Sequence, residues 1–157
     1  MANEQDRPNI NPLLHPPLIA VMFIVIAYFL GRFAQLPFFA PRWLQYMGLL
    51  MTFVGFLLGI GAFLEFRKAR TTVDPHGSAR QLVTTGIYRF TRNPIYLGFL
   101  LMVIGLPLNS GLYWGAVMAP FYVILTNRLI IEREEMYLGK KFKDSYSDYK
   151  SRVRRWL

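Results

Sequence analysis

The sequence predicts an all-α protein that crosses a membrane about four times. Three observations carry that expectation. The 157-residue chain is 54% hydrophobic and 16% aromatic, too oily for an ordinary soluble domain of this size. Its charges fall in blocks: no Asp, Glu, Lys or Arg occurs between Arg7 and Arg32, between Arg42 and Glu65, or from Asn93 to Asn127. Each gap is at least as long as the ~20 apolar residues that a helix needs to cross the hydrocarbon core.

The elements follow in order. The first fifteen residues are polar, carry Pro8 and Pro12, and read as an irregular tail. No small-residue cleavage site follows the first apolar block, so a removed signal peptide is not expected. Residues 17–36 form the first span; their β-branched content suits a strand, but their length in lipid demands a helix. A short turn, "PFFAPR" (37–42), leads to the second span, 43–64, where Trp43 and Tyr46 sit as an interfacial aromatic belt would. Within it, Gly55 and Gly59 make a GxxxG pair that permits close helix packing.

Residues 65–93 are a polar connector with Arg67, Lys68, Arg70, Arg80, Arg89 and Arg92. Its Thr71-Thr72, "DPHG" (74–77) and "TTG" (84–86) predict a structured loop. The last oily run is too long for one crossing and short for two, and "LNSG" (108–111), just after Pro107, divides it. A tight helical hairpin is expected, with arms over 94–107 and 112–131. The first arm has a rise of only ~21 Å, so it must tilt or thin the bilayer. The second continues past the membrane to about residue 138. The tail, 132–157, carries Phe142, Tyr146, Tyr149, Val153 and Trp156 at steps of 3 and 4, the stripe of an amphipathic helix expected to lie on the membrane. All of 1–157 reads as a single domain.

The net charge of +9 is concentrated in the connector and the tail, while the 108–111 turn has none. By the positive-inside rule these segments and the N-terminus lie in the cytoplasm, facing anionic lipid heads rather than nucleic acid. The absence of cysteine excludes disulfides, thiol catalysis and cysteine-ligated metals. His15 and His76 stand apart with no metal-ligand spacing, and no glycine-rich dinucleotide or phosphate loop occurs.

A hairpin brings its two ends together. One end is "YRFTRNP" (88–94), which reads as an Asn N-cap before a proline at the first helical position. The other is "RLIIEREEMYLGKKF" (128–142), with Glu132, Glu134 and Glu135 within four residues. Arg89 and Arg92 are therefore expected to face the glutamates across a narrow mouth. The bland account is interfacial arginines snorkelling to phosphates and salt-bridging to nearby carboxylates. Carboxylates at the end of an apolar helix oppose its dipole, however, which points to a ligand.

"LVTTGIYRFTRNPIYLG" (82–98) followed by "EREEMYLGKKFKDSYSDYKSRV" (132–153) resembles the isoprenylcysteine carboxyl methyltransferases and the related phospholipid N-methyltransferases. Leu82, Val83, Gly86, Tyr88, Arg92, Pro94, Tyr96 and Gly98 match the first half of the pattern. Glu134, Glu135, Leu138, Phe142, Tyr146 and Tyr149 match the second. Asn93 departs from the common His, and Lys143 from the usual Gly. The resemblance implies a methyltransferase using S-adenosyl-L-methionine, its site facing the cytoplasm and its hydrophobic or prenylated acceptor drawn from membrane lipids. Tyr88, Arg92, Asn93, Pro94, Ile95, Tyr96, Gly98, Glu134 and Glu135 are then the expected cofactor-binding residues. A carboxylate acceptor needs a cation, for which Arg128 is the first candidate and Arg92 the second. The alternatives are a phospholipid or small-amine N-methyltransferase, a membrane NADPH-dependent lipid reductase and a lipid-binding protein without activity.

Overall fold

A computed structural model describes residues 15–34, 39–70 and 79–157. The expected polar tail up to residue 14, residues 37 and 38 of the first turn, Thr71-Thr72, "DPHG" and His76 lie outside the described residues. Every regular element among the described residues is helical. Helix α1 runs Pro16–Phe33 and opens on a proline whose missing N–H costs nothing at a helix start. Helix α2, Arg42–Lys68, extends beyond the expected span and carries its charged last turn out of the apolar region. A 3₁₀ turn, Gly86–Arg89, precedes α3, Pro94–Asn109. Helix α4, Trp114–Thr126, passes through a π-turn, Asn127–Ile131, into α5, Glu132–Arg152.

Three helices are long and apolar enough to cross a membrane: α1, α2 and the continuous α4–α5. Helix α3 has 16 residues and is the short arm that the sequence predicts. It packs against α1, α2 and α4, so this short helix is the central one. Ile19 and Phe23 of α1, Tyr96 and Val103 of α3, Tyr122 of α4 and the π-turn's Ile130 and Ile131 form its core on one side.

The α2–α3 contact is backbone on backbone. The buried residues of α2 are Gly48, Gly55, Ala62 and Glu65. A Cβ on Gly55 would lie 2.5 Å from the carbonyl oxygen of Gly98, and one on Gly105 would lie 2.5 Å from that of Gly48. Two glycines seven residues apart on each helix thus face their counterparts at successive crossings. The GxxxG expectation is half corrected, because Gly59 has nothing within 4 Å of its Cβ position. The seam follows the seven-residue spacing because one face of α2 recurs about every two turns.

Two expectations about the tail are corrected. The helix expected to run to about residue 138 continues to Arg152, so the carboxylates at 132–135 lie well before its C-terminus and do not oppose its dipole there. Nor does the aromatic stripe turn outward. Tyr146 and Tyr149 are buried, and the helix stops at Arg152, with Val153 extended. The cause is a kink at Lys143, whose φ of +43° and ψ of −117° are disfavoured for any residue with a Cβ. The kink turns the second half of α5 back toward α3.

Each feature sets an expected outcome in thermal unfolding of the purified protein in micelles. Gly55→Ala and Gly98→Ala should each destabilise by about 2 kcal/mol, since the intruding methyl meets backbone that cannot move aside. Gly59→Ala should be neutral or stabilising. Lys143→Gly should stabilise by about 1 kcal/mol by relieving the strained backbone.

Candidate functional site

At the charged end of α3, a cavity of about 530 Å³ lies between that helix end, the connector and α5. This is the size of a small-molecule site. Ile95, Tyr96 and Phe99 of α3 form one wall, and Leu82, Val83 and Tyr88 of the connector a second. The third comes from α5, with Glu134, Glu135, Leu138, Tyr146 and Tyr149.

The connector is held in place by a small polar network. The Thr85 hydroxyl donates to Glu65 of α2 at 2.6 Å, and Lys68 reaches the same carboxylate at 2.6 Å. Gly86 has a φ of +56°, and a Cβ there would sit 2.5 Å from the Glu65 carboxyl carbon, so only glycine fits. The Tyr88 ring stands edge-on to Phe66, and the Tyr149 hydroxyl donates to the Tyr88 carbonyl at 2.7 Å. The 3₁₀ turn is thereby fixed to both α2 and α5.

Charge is concentrated in the third wall. Arg92 Nη1 lies 3.0 Å from Glu135 Oε1, with side chains only 11% and 16% exposed, so the pair is largely desolvated. The same carboxylate accepts from Arg155 Nε at 3.1 Å and Nη2 at 2.6 Å, a bidentate bond. Arg92 Nη1 also lies 3.4 Å from the Tyr146 hydroxyl, whereas Arg92 Nε is buried and has no partner. Glu134 accepts from the Tyr96 hydroxyl at 2.8 Å. Burial, reinforced by the neighbouring Glu135 charge and opposed by that hydrogen bond, pushes its carboxyl up to about 7. Burial likewise pushes the Tyr146 phenol up to about 12, so it stays protonated.

Eight of the nine expected cofactor-binding residues line this one cavity: Tyr88, Arg92, Asn93, Pro94, Ile95, Tyr96, Glu134 and Glu135. Four other residues singled out in the sequence do not. Gly98 belongs to the α2 seam, where its missing side chain admits Gly55. Arg128 is exposed on the π-turn, away from the lining residues, so the first candidate for holding a carboxylate is not brought to the cavity. Arg89 is exposed, and Glu132 is not part of the wall.

Asn93 also differs from expectation, because its side chain makes no cap bond to α3. Its Nδ2 donates instead to the Arg155 carbonyl at 3.0 Å, and its own N–H donates to Thr91 Oγ1. Pro94 has no N–H. The first turn of α3 closes with the Leu97 N–H donating to the Asn93 carbonyl at 3.0 Å.

Sequence reasoning missed the tyrosines of α5 as lining residues. The available signal was the stripe itself, which uses Tyr where a membrane-surface helix has equal use for Leu. It also missed Arg155, because the bond to Glu135 depends on chain that lies beyond the helix.

Ile95 and Phe99 have a second neighbour. With Gly55, Phe56, Gly59 and Met102 they line an apolar groove of about 250 Å³ between α2 and α3, opened by the bare Gly59. The cavity and the lipid-facing groove therefore share Ile95 and Phe99 as lining residues. The arrangement suits a ligand with anionic and cationic groups at one end, an apolar body and access to lipid.

The model of the phospholipid methyltransferase family matches residues 43–145, which include α2, the described connector, α3, α4 and the glutamates. The chain is 28% identical to protein-S-isoprenylcysteine O-methyltransferase A of Arabidopsis thaliana over 120 residues, 71% of this chain and 57% of that protein. It is 27% identical to the B form from the same plant over 147 residues, 86% of this chain and 70% of the other. Its fold matches the solved eukaryotic intramembrane Ras methyltransferase ICMT (isoprenylcysteine carboxyl methyltransferase) with a TM-score of 0.61 and 26% identity. That match covers 89% of this chain and 52% of the other, so the chain spans about half the length of the solved protein. With two thirds of its residues under the family model and the glutamates inside the match, the chain belongs to the phospholipid methyltransferase family.

Proposed function

We propose that this chain is an integral-membrane methyltransferase that uses S-adenosyl-L-methionine and acts on a hydrophobic acceptor, most like a prenylcysteine carboxylate. The observation that carries the reading is the cavity that joins Arg92 and Glu134 to an apolar wall shared with the lipid-facing groove.

The residues present fit the cofactor. Arg92 Nε is a buried donor without a partner, matched to a carboxylate. Glu134 has acceptor capacity beyond its bond from Tyr96, matched to an ammonium group or ribose hydroxyls. Leu82, Val83 and Leu138 offer an apolar surface to a flat base. When bound, S-adenosyl-L-methionine supplies a methyl group activated on a sulfonium.

The chain's own work is alignment and exclusion of water. Charge disperses in an in-line displacement, so a dry, apolar wall and fixed orientation favour it over solution. Ile95 and Phe99, which line both the cavity and the groove, lie where an acceptor's hydrocarbon passes from lipid to the reacting end. A carboxylate acceptor is ionised at neutral pH and needs no base. Arg92 is the only arginine or lysine among the described lining residues, so with its Nε on the cofactor's carboxylate an acceptor carboxylate is oriented by its hydrocarbon along Ile95 and Phe99 rather than by a cation of its own.

A second reading has one observation in its favour. Glu135 is engaged by two guanidiniums, whereas Glu134 accepts from the neutral Tyr96 hydroxyl, and such a carboxylate suits an amine acceptor. An amine must lose a proton before it is methylated, and Glu134, titrating near 7, is then the group that takes it. A cytoplasm-facing site is part of the proposal, supported by the basic connector and tail.

The test is saturable binding of S-adenosyl-L-methionine, with NADPH as the control, followed by transfer of labelled methyl into prenylcysteine or phospholipid. Binding of the methyl donor and label in an ester supports the first reading; label in an amine supports the second; binding of NADPH alone overturns both. Because Glu134 must be ionised to accept from the cofactor, affinity should fall about tenfold per pH unit from 7 to 5. Glu134→Gln should bind weakly and flatten that dependence. The stability effect has the opposite sign: a carboxyl raised from its usual 4.5 to about 7 costs stability as pH rises through that window, so Glu134→Gln should melt higher than the natural protein at pH 8 but not at pH 4.

A further inference from the structure

The residues after α5 form an unplanned-looking but densely bonded segment. Beyond Arg152 the backbone is extended, with Val153 at φ −123° and ψ 130°, and it runs back along the loop that leads into α3. The Arg92 amide donates to the Arg154 carbonyl at 3.0 Å. The next carbonyl, that of Arg155, accepts from Asn93 Nδ2 at 3.0 Å and from Thr91 Oγ1 at 3.2 Å. Trp156 Nε1 donates to Asn127 Oδ1 at 3.2 Å, which anchors the far end to the π-turn. Three consecutive loop residues, Thr91, Arg92 and Asn93, are thus tied to two consecutive carbonyls some sixty positions away in sequence.

The same segment delivers the second guanidinium to Glu135. Arg155 takes the carboxylate in a bidentate grip, and Arg92 shares one of its oxygens. The backbone of Arg92 is held by the segment directly, and its side chain is held through Glu135. We propose that residues 153–156 are a strap that sets the position of Arg92 at the cavity, with Asn93 and Arg155 as positioning residues. On this account position 93 requires an N–H donor aimed at a backbone carbonyl and no titrating group. The inference rests on the proposed role of Arg92 in holding the cofactor, but the strap itself can be measured without any cofactor.

The physical logic is that Arg92 has a long side chain whose freedom must be removed before binding, since rotamers frozen on binding subtract from affinity. A strap that fixes its backbone amide and its Nη1 leaves Nε pre-aimed. Loss of the strap therefore weakens cofactor binding while leaving the rate of the bound complex nearly unchanged.

The experiment uses the full chain with Asn93→Leu, Arg155→Gln, the double variant and Asn93→His. Asn93→Leu and Arg155→Gln should each raise the KM for S-adenosyl-L-methionine about tenfold with kcat within about threefold. The double variant should be no worse than about the weaker single, because both act through one strap. Asn93→His, which keeps an N–H donor, should recover most of the loss without adding a pH step near 6.5. Without cofactor, hydrogen exchange at the Arg92 amide should be faster in Asn93→Leu and Arg155→Gln than in the natural protein. Unchanged exchange, a loss confined to kcat, additive KM effects or no rescue by histidine would each overturn the strap. If exchange quickens as expected but the natural protein binds no S-adenosyl-L-methionine, the strap stands and the proposed function fails.

Discussion

Glu135 lies between two guanidiniums that reach it from opposite ends of the C-terminal half of the sequence. Arg92 comes from the loop before α3, and Arg155 from the segment after α5, while Glu135 itself stands on the helix that follows the hairpin. A carboxylate this poorly solvated is costly unless it is paired, and removing one partner of a buried pair commonly costs ~3–5 kcal/mol. The triad therefore acts as a condition on the fold more than as a source of stability. The loop, the helix and the strap must all close on Glu135 together, and when they do, the cavity acquires its third wall. Two further bonds tie α5 to the connector: the Tyr146 hydroxyl accepts from Arg92, and the Tyr149 hydroxyl donates to the Tyr88 carbonyl.

Inside the apolar region the constraint is of another kind. Helix α3 is short and central, and its position is set by how near α2 can come. The facing glycines let the two backbones touch, and close contact of this sort replaces the hydrophobic drive that lipid does not supply. Bringing α3 so near α2 leaves the bare Gly59 beside Phe99, one turn from Ile95. The groove follows from this helix contact, and Ile95 and Phe99 connect it to the cavity.

Charge gaps and the "PLNSG" segment (107–111) made the helices legible in sequence, because an uncharged stretch of that length has few alternatives in lipid. The pairing of Arg92 with the glutamates was also legible, since a hairpin must return its ends to one face. Other features depended on geometry that periodicity does not carry. Gly98 looks like a motif residue, but its neighbour is the Gly55 carbonyl. The stripe of α5 has the spacing of a surface helix, and only the kink at Lys143 decides that it faces inward. Position 143 did carry a signal, because a residue with φ above zero explains why glycine is usual there. Arg128 had the right chemistry and the right neighbourhood in sequence, but the π-turn leaves it on the exposed side.

Asn93 joins these levels. It looks like a helix cap, lies at the cavity wall, and makes its side-chain bond to the strap. The central claim is that the wall it belongs to binds the methyl donor. Ultraviolet cross-linking of labelled S-adenosyl-L-methionine to the purified protein, followed by peptide mapping, tests this most directly. Label confined to peptides within 81–99 and 134–149, and displaced by unlabelled cofactor, is the predicted result. Label on the α1–α4 surface, or label that excess cofactor does not displace, would contradict it.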